Sequence, residues 1–266
     1  MYGRDTLDED FTGGLDESVW TPAYLPGWSS RVDARADLTT GPDGLTLRIP
    51  PEHPIWCADQ HDPPLRVSAV QSGNWSGPLG STAGQQPFRP GLRVREEQSA
   101  QWGVTPFRGR VEVTCRAELT PESMFSAWLI GLEDSPARCG EICVVEVFGS
   151  TMRTGSTGEP LAAVGRGVHA FRDPALQEEF AAPEIAIDVS EVHTYSIDWS
   201  ADGVVFEIDG RLVHTTAQSP EYPMQLIIAV FDFPPDGALR GPDDPVPAVH
   251  VSRVVVRPDV LASVAD

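Results

Sequence analysis

Two glutamates five positions apart, Glu141 and Glu146, bracket the apolar run Ile142-Cys143-Val144-Val145, with Gly140 before them and Phe148-Gly149 behind. Two carboxylates on one rigid element suit covalent attack at a sugar carbon and proton transfer to its leaving oxygen. That chemistry, run with retention, needs the carboxyl groups roughly 5–5.5 Å apart. A strand sends alternate side chains to opposite faces. Strict alternation therefore puts Glu141, Cys143, Val145 and Val147 on one face and Ile142, Val144, Glu146 and Phe148 on the other. Glu146 would then point among core residues, where an unpaired carboxylate is costly. One extra residue between Cys143 and Glu146, a β-bulge, returns the second Glu to the face of the first. The plainer reading is of solvated edge positions or ion-pair partners.

Other short stretches must position this strand. Arg110 to Glu118 alternates, with Val111, Val113, Cys115 and Ala117 on one face. Phe125 to Leu132 and Ile142 to Phe148 read as apolar central strands. Gly44 to Ile49 is a half-buried strand closed by Pro50-Pro51. Tyr195, Ile197 and Trp199 open a strand, and Val204 to Ile208 runs into Asp209-Gly210, a hairpin turn. Leu226 to Phe231 and Val249 to Val256 complete the set. Residues 50–100 read as a long loop, residues 150–190 as a second one, and 173–180 as a short helix. With 25 Pro and 24 Gly, the pattern predicts an all-β protein. Its expected form is an antiparallel β-sandwich of two curved sheets with a concave cleft, one domain over residues 1–266.

Composition narrows the partners. The 266 residues carry 39 acidic and 19 basic side chains, a formal charge of −20. Every one of the 19 is Arg, since the chain has no Lys. Such a surface repels nucleic acid, anionic membranes and strongly acidic polysaccharides, and leaves a neutral glycan as the more comfortable partner. No run of 18 apolar residues exists to span a bilayer. No basic-then-apolar leader precedes Asp5. The expectation is a cytoplasmic chain as written, or a secreted one if a leader has been removed; a monomer is expected. Cys139 and Cys143 cannot bridge within one extended strand, which separates them by about 13 Å against a limit near 7 Å. Cys57 and Cys115 complete the set, and no Cys-x-x-Cys with His partners marks a zinc site.

The run Glu-Ile-x-x-x-Glu after Gly140, preceded by Ser126-Ala127-Trp128-Leu129-Ile130-Gly131, resembles the active-site strand of glycoside hydrolase family 16. Phe107 to Val113, His193 to Trp199, Phe206 to Gly210 and Val249 to Val256 resemble further segments of that family. The similarity implies a concanavalin A-like jelly roll of the laminarinase and lichenase type. It also implies Glu141 as nucleophile and Glu146 as general acid/base, with no metal or organic cofactor in the chemistry. The family places an Asp between the two Glu residues; here that position is Cys143, whose thiol is mostly neutral at pH 7. Loss of that charge makes neighbouring carboxylates easier to ionise. Met124 stands where many members carry a cleft Trp, and Ser252 where many carry a calcium-binding Asp.

Sugar rings present flat C–H faces on which aromatic rings stack. Trp28, Trp56, Trp75, Trp102 and Trp128 are therefore candidate platforms, each with a core reading beside it. The loop contexts of Trp28 and Trp75 favour exposure, whereas Trp20 and Trp199 read as core. His169 falls where the family often sets a His near the acid/base; a surface role competes. Arg31 is a candidate for bonding sugar hydroxyls, and Phe231 for lining the cleft. The expectation is a retaining endo-acting glycosidase on a neutral polysaccharide, a β-1,3- or mixed-linkage glucan before a galactan. The alternatives are a lectin-like binder on the same fold and a transglycosylase.

Overall fold

Alternating apolar and polar side chains build the longest strands. Val111, Val113, Cys115 and Ala117 are all buried, while the residues between them are partly exposed. The computed structural model describes residues 2–235 and 240–259. The first strands are β1 (Leu7–Glu9), β2 (Asp37–Gly41), β3 (Gly44–Arg48), β4 (Arg66–Gln71) and β5 (Gly73–Asn74). Then come β6 (Gln101–Trp102), β7 (Gly109–Glu118), β8 (Ser123–Gly131), β9 (Glu141–Phe148), β10 (Arg153–Thr154) and β11 (Pro160–Ala163). The next are β12 (Gly165–His169), β13 (Glu179–Ala181), β14 (Glu184–Ala186) and β15 (His193–Ser200). The last are β16 (Gly203–Ile208), β17 (Arg211–Thr216), β18 (Met224–Asp232) and β19 (Ala248–Arg257).

Two antiparallel sheets form the sandwich. One runs β17-β16-β15-β7-β19-β3-β2, with β1 added along β19; the other runs β13-β12-β9-β8-β18-β4. Between them lies a continuous apolar core that includes Trp20, Phe125, Ile142, Trp199 and Val254. Trp20 and Trp199 are core residues, as their contexts predict. The turn between β16 and β17 uses Asp209 (φ 51) and Gly210 (φ 70), the left-handed pair that matches the twist of a two-residue hairpin. Asn and Asp tolerate that region better than most side chains.

A second apolar cluster sits on the outer face of the six-stranded sheet. Met124, Trp128 and Ile130 of β8 and Ile227, Ala229 and Phe231 of β18 meet Leu25, Trp28, Trp56 and Leu92 from long connections. β8 and β18 are therefore buried on both faces along their whole length, which explains their mostly apolar sequences.

Three expectations fail. Residues 150–190 are not one loop: they hold β10 to β14, and β12 pairs with β9. Residues 50–100 are not strandless, because Arg66–Gln71 forms β4 at the edge of the six-stranded sheet, paired with β18. Its polar residues hide the pattern: Arg66, Ser68 and Gln71 are fully buried beside Val67 and Ala69. Residues 173–180 form no helix. Pro174 removes a donor, and the Asp173 carboxylate accepts the Ala175 N–H at 2.8 Å, closing a turn that leads into β13.

Candidate active site

β9 carries the bulge that the energetic conflict at Glu146 calls for. Against β8, Ala127 pairs with Val145 but Trp128 pairs with Cys143, so Val144 is the extra residue. Against β12, the register slips at the same place, from Gly165–Glu146 to Gly167–Cys143. Val144 and Val145 thus both enter the central core together with Ile142 and Val147. Glu141, Cys143, Glu146 and Phe148 are left on the outer face. Neither Glu141 nor Glu146 accepts a hydrogen bond from another described residue, so both carboxylates remain available to a ligand.

The surroundings set their charge. Glu141 is only 15% exposed. Burial, then the charges of Glu146 and Glu178, pushes its pKa up to about 8. Burial raises Glu146 as well, opposed by the charge of His169. Two like charges on one strand face resist ionising together, so the pair retains a proton into the neutral range. The Cys143 thiol is driven well above its ordinary value by burial, followed by the two neighbouring carboxylates, while Ser126 opposes the shift. It is a neutral group between them.

His169 belongs to this cluster. It is the cross-strand partner of Glu141, and its Nε2 stands 3.9 Å from Glu141 Oε1. Its Nδ1 lies 2.5 Å from Glu178 Oε1. An ionised carboxylate only accepts, so Nδ1 is the donor there. The ring stacks on Phe180 at 4.4 Å between centroids. Phe180 in turn crosses Gly165, the partner of Glu146, where a Cβ would come within 2.6 Å of the ring.

The predicted platforms separate into two groups. Trp128 lies opposite Cys143 and Phe231 lies beside Trp128, their centroids 6.1 Å apart. Both are buried under Tyr24, so they form a floor rather than an open stacking face. Trp28 does not meet its expected exposure. It is 2% exposed, packs on Gly84, and its Nε1 donates to the Gln85 carbonyl at 2.7 Å. Trp56 is buried in the same layer, donating to the Tyr24 carbonyl. Trp75 is half-buried, its Nε1 bound to the Leu132 carbonyl at 2.6 Å. Trp102 packs over Gly73 on the small β5–β6 sheet. Arg31 donates its Nε to Gln98 at 2.8 Å. None of these last five is a partner of Glu141, Cys143, Glu146 or His169. They hold the covering connections in place.

The exposed rings near β9 are phenylalanines. Phe148 is 38% exposed and stacks on Phe233, which stacks on Phe231, making a shelf beyond Glu146. Phe171 is 59% exposed beyond the Glu141 end. Tyr24 is the residue that sequence reasoning missed most plainly; the charge of Glu141 reaches its phenol, which burial and that charge push upward. Its signal was a Tyr, an apolar body with a polar tip, among Trp20, Pro22, Pro26 and Trp28.

Residues 105–233 match the family described as glycosyl hydrolases family 16. No curated protein matches the chain. Among solved structures, it is similar to a GlcNAcα1-4Gal-releasing endo-β-galactosidase from Clostridium perfringens. That likeness has a TM-score of 0.75 and 22% identity, and it covers 96% of this chain and 63% of that one. The chain thus spans less than two thirds of that structure's length. A mixed-linkage glucan family 16 protein of Bacteroides ovatus, in complex with a G4G4G3G product, gives 0.54 and 17% over 93% of this chain and 98% of that one. The laminarinase catalytic domain from Thermotoga maritima MSB8 gives 0.53 and 12% over 98% and 100%. At these identities the likeness is one of fold.

Proposed function

We propose, on the premise that residues 105–233 form a domain of glycosyl hydrolases family 16, that this protein is a retaining endo-glycosidase acting on a neutral β-linked polysaccharide. The bulge at Val144 carries the reading, because it sets Glu141 and Glu146 on one open face of a rigid strand. Fold alone does not license it. A pair of carboxylates that accept no hydrogen bond among the described residues, beside an anchored His, suits proton and glycosyl transfer.

In the reaction, a Glu141 oxygen bonds to the anomeric carbon as the glycosidic C–O bond breaks, and Glu146 gives its proton to the leaving oxygen. Glu146 then takes a proton from water, whose oxygen displaces Glu141 and completes hydrolysis. The chemistry therefore uses the pair in its singly protonated state, with the proton on Glu146. Positive charge developing on the sugar favours the ionised form of Glu141 at that moment. Cys143, neutral and buried, adds no charge to the pair, unlike the Asp of the family pattern.

A neutral substrate suits the formal −20. β-Glucans of 1,3- or mixed linkage fit the folds of the Bacteroides and Thermotoga structures. The higher fold likeness to an endo-β-galactosidase brings β-galactans into the same class. The test is reducing-end release from laminarin, lichenan and β-galactan by the wild type, Glu141→Gln and Glu146→Gln. Wild-type release that falls at least a thousandfold in both variants, with a glycosyl adduct trapped on Glu141, is the expected result. Binding without turnover in all three proteins would instead make this a lectin-like protein.

A further inference from the structure

One cavity adjoins the acid pair without belonging to it. It measures about 190 Å³ and opens between Tyr24, Gln86, Phe88, Glu133, Phe171 and Arg172. Its floor includes Ile130, the cross-strand partner of Glu141 on β8, so it begins where the candidate site ends.

Its walls combine three features. Aromatic faces line it, and Phe171 among them is 59% exposed. A polar end is formed by Glu133, whose side chain is 4% exposed, in an ion pair with Arg172. The Gln86 backbone N–H also donates to Glu133. The Gln86 side-chain Nε2 is buried and has no hydrogen-bond partner among the described residues. Finally, Gln86 (φ 46), Glu133 (φ 55) and Phe171 (φ 46) all occupy the left-handed region, which costs an L-residue free energy. Three strained residues from three separate connections converge on one small cavity.

An aromatic wall, a hydrogen-bonding end and an unpartnered amide donor are what a single pyranose needs. Its C–H face stacks while its hydroxyls bond the carboxylate, the guanidinium and the amide. The Arg172 guanidinium is already held by Glu133, which leaves an anionic sugar to compete with that carboxyl for it.

We propose that this cavity is a specificity pocket for one neutral sugar unit of the glycan held at Glu141 and Glu146. The inference rests on the glycosidase reading for its partner, but its test separates the two.

Titration of the full chain carrying Glu141→Gln with laminarihexaose, a mixed-linkage glucan tetrasaccharide and a β-1,4-galactotetraose measures binding without turnover. At least one is expected to bind, and adding Phe171→Ala or Glu133→Gln is expected to weaken it tenfold or more. An oligosaccharide of glucuronic acid is expected not to bind. Phe171→Ala removes an exposed ring and should retain the wild-type Tm, whereas Glu133→Gln breaks the buried pair with Arg172, so its affinity is read at a temperature where it is shown to be folded. Equal affinity in parent and both variants overturns the pocket while leaving the hydrolase reading intact. Phe171-dependent binding with no turnover by the wild type supports the pocket and overturns the hydrolase. Absence of binding by the whole panel overturns the pocket.

Discussion

His169 Nε2 and Glu141 Oε1 face each other at 3.9 Å across the β9–β12 pair, too far for a direct hydrogen bond and near enough for charge to matter. The far side of the imidazole is anchored by Glu178 and its flat face by Phe180. The ring is thus fixed in orientation before any ligand arrives, and its charge opposes the rise that burial gives Glu146.

Replacing His169 with Ala should lower kcat/KM about tenfold or more through lost positioning and charge. It should also move the alkaline limb of the pH–rate profile upward, because the charge that holds Glu146 down is gone. A profile that only drops in height would confine His169 to a packing role.

The buried Glu141 predicts a pH-dependent stability. Its ordinary value is 4.5 and the folded value is about 8, so over that window the folded chain holds a proton that the unfolded chain releases. Stability therefore falls as pH rises from about 4.5 to about 8, and the loss is complete above it. Glu141→Gln lacks this loss. Its advantage over the wild type should be near zero at pH 4 and on the order of 5 kcal/mol at pH 8.5, or several degrees in Tm. Thermal unfolding at the two pH values measures it, and a pH-independent gap would contradict the assignment.

Gly165→Ala should harm both fold and site. The added Cβ meets Phe180 at 2.6 Å and the Cβ of Glu146 at 3.2 Å, so one of the two must shift. A loss of about 1–3 kcal/mol is expected, with a fall in kcat larger than the change in KM. An unchanged kcat in a destabilised variant would mean that Phe180 alone gives way.

Cys143→Asp places a third carboxyl between the two glutamates. Its charge, in a buried position, should raise both of their pKa values and carry the rate optimum to higher pH. Stability should drop, since the strand would bury another titratable group without a partner. An identical pH–rate profile would show that this position exerts no field on its neighbours.

Much of the sandwich was legible because β7 and β16 write their burial directly into alternation. The bulge was legible for a different reason: an unpaired carboxylate among core valines is too costly, and one extra residue removes the conflict. β4 was not legible, since its polar residues are buried by partners distant in sequence, such as Asp37, whose carbonyl accepts the Ser68 hydroxyl. The choice of aromatic rings was also hidden. Whether Trp28 faces solvent depends on Gly84 and Gln85 folding back over it, some 57 positions away. The Glu133–Arg172 pair joins residues 39 positions apart and left no local pattern at all.

The layer of indoles and leucines over β8 and β18 also limits how this protein can be altered. Connections that would ordinarily be exchangeable decorations are fastened down as part of the interior. Grafting a relative's longer loop at residues 20–36 or 53–65 would strip the cover from two central strands and threaten folding before it changed sugar preference. Retuning is better aimed at Phe171, whose ring is 59% exposed in the turn after β12.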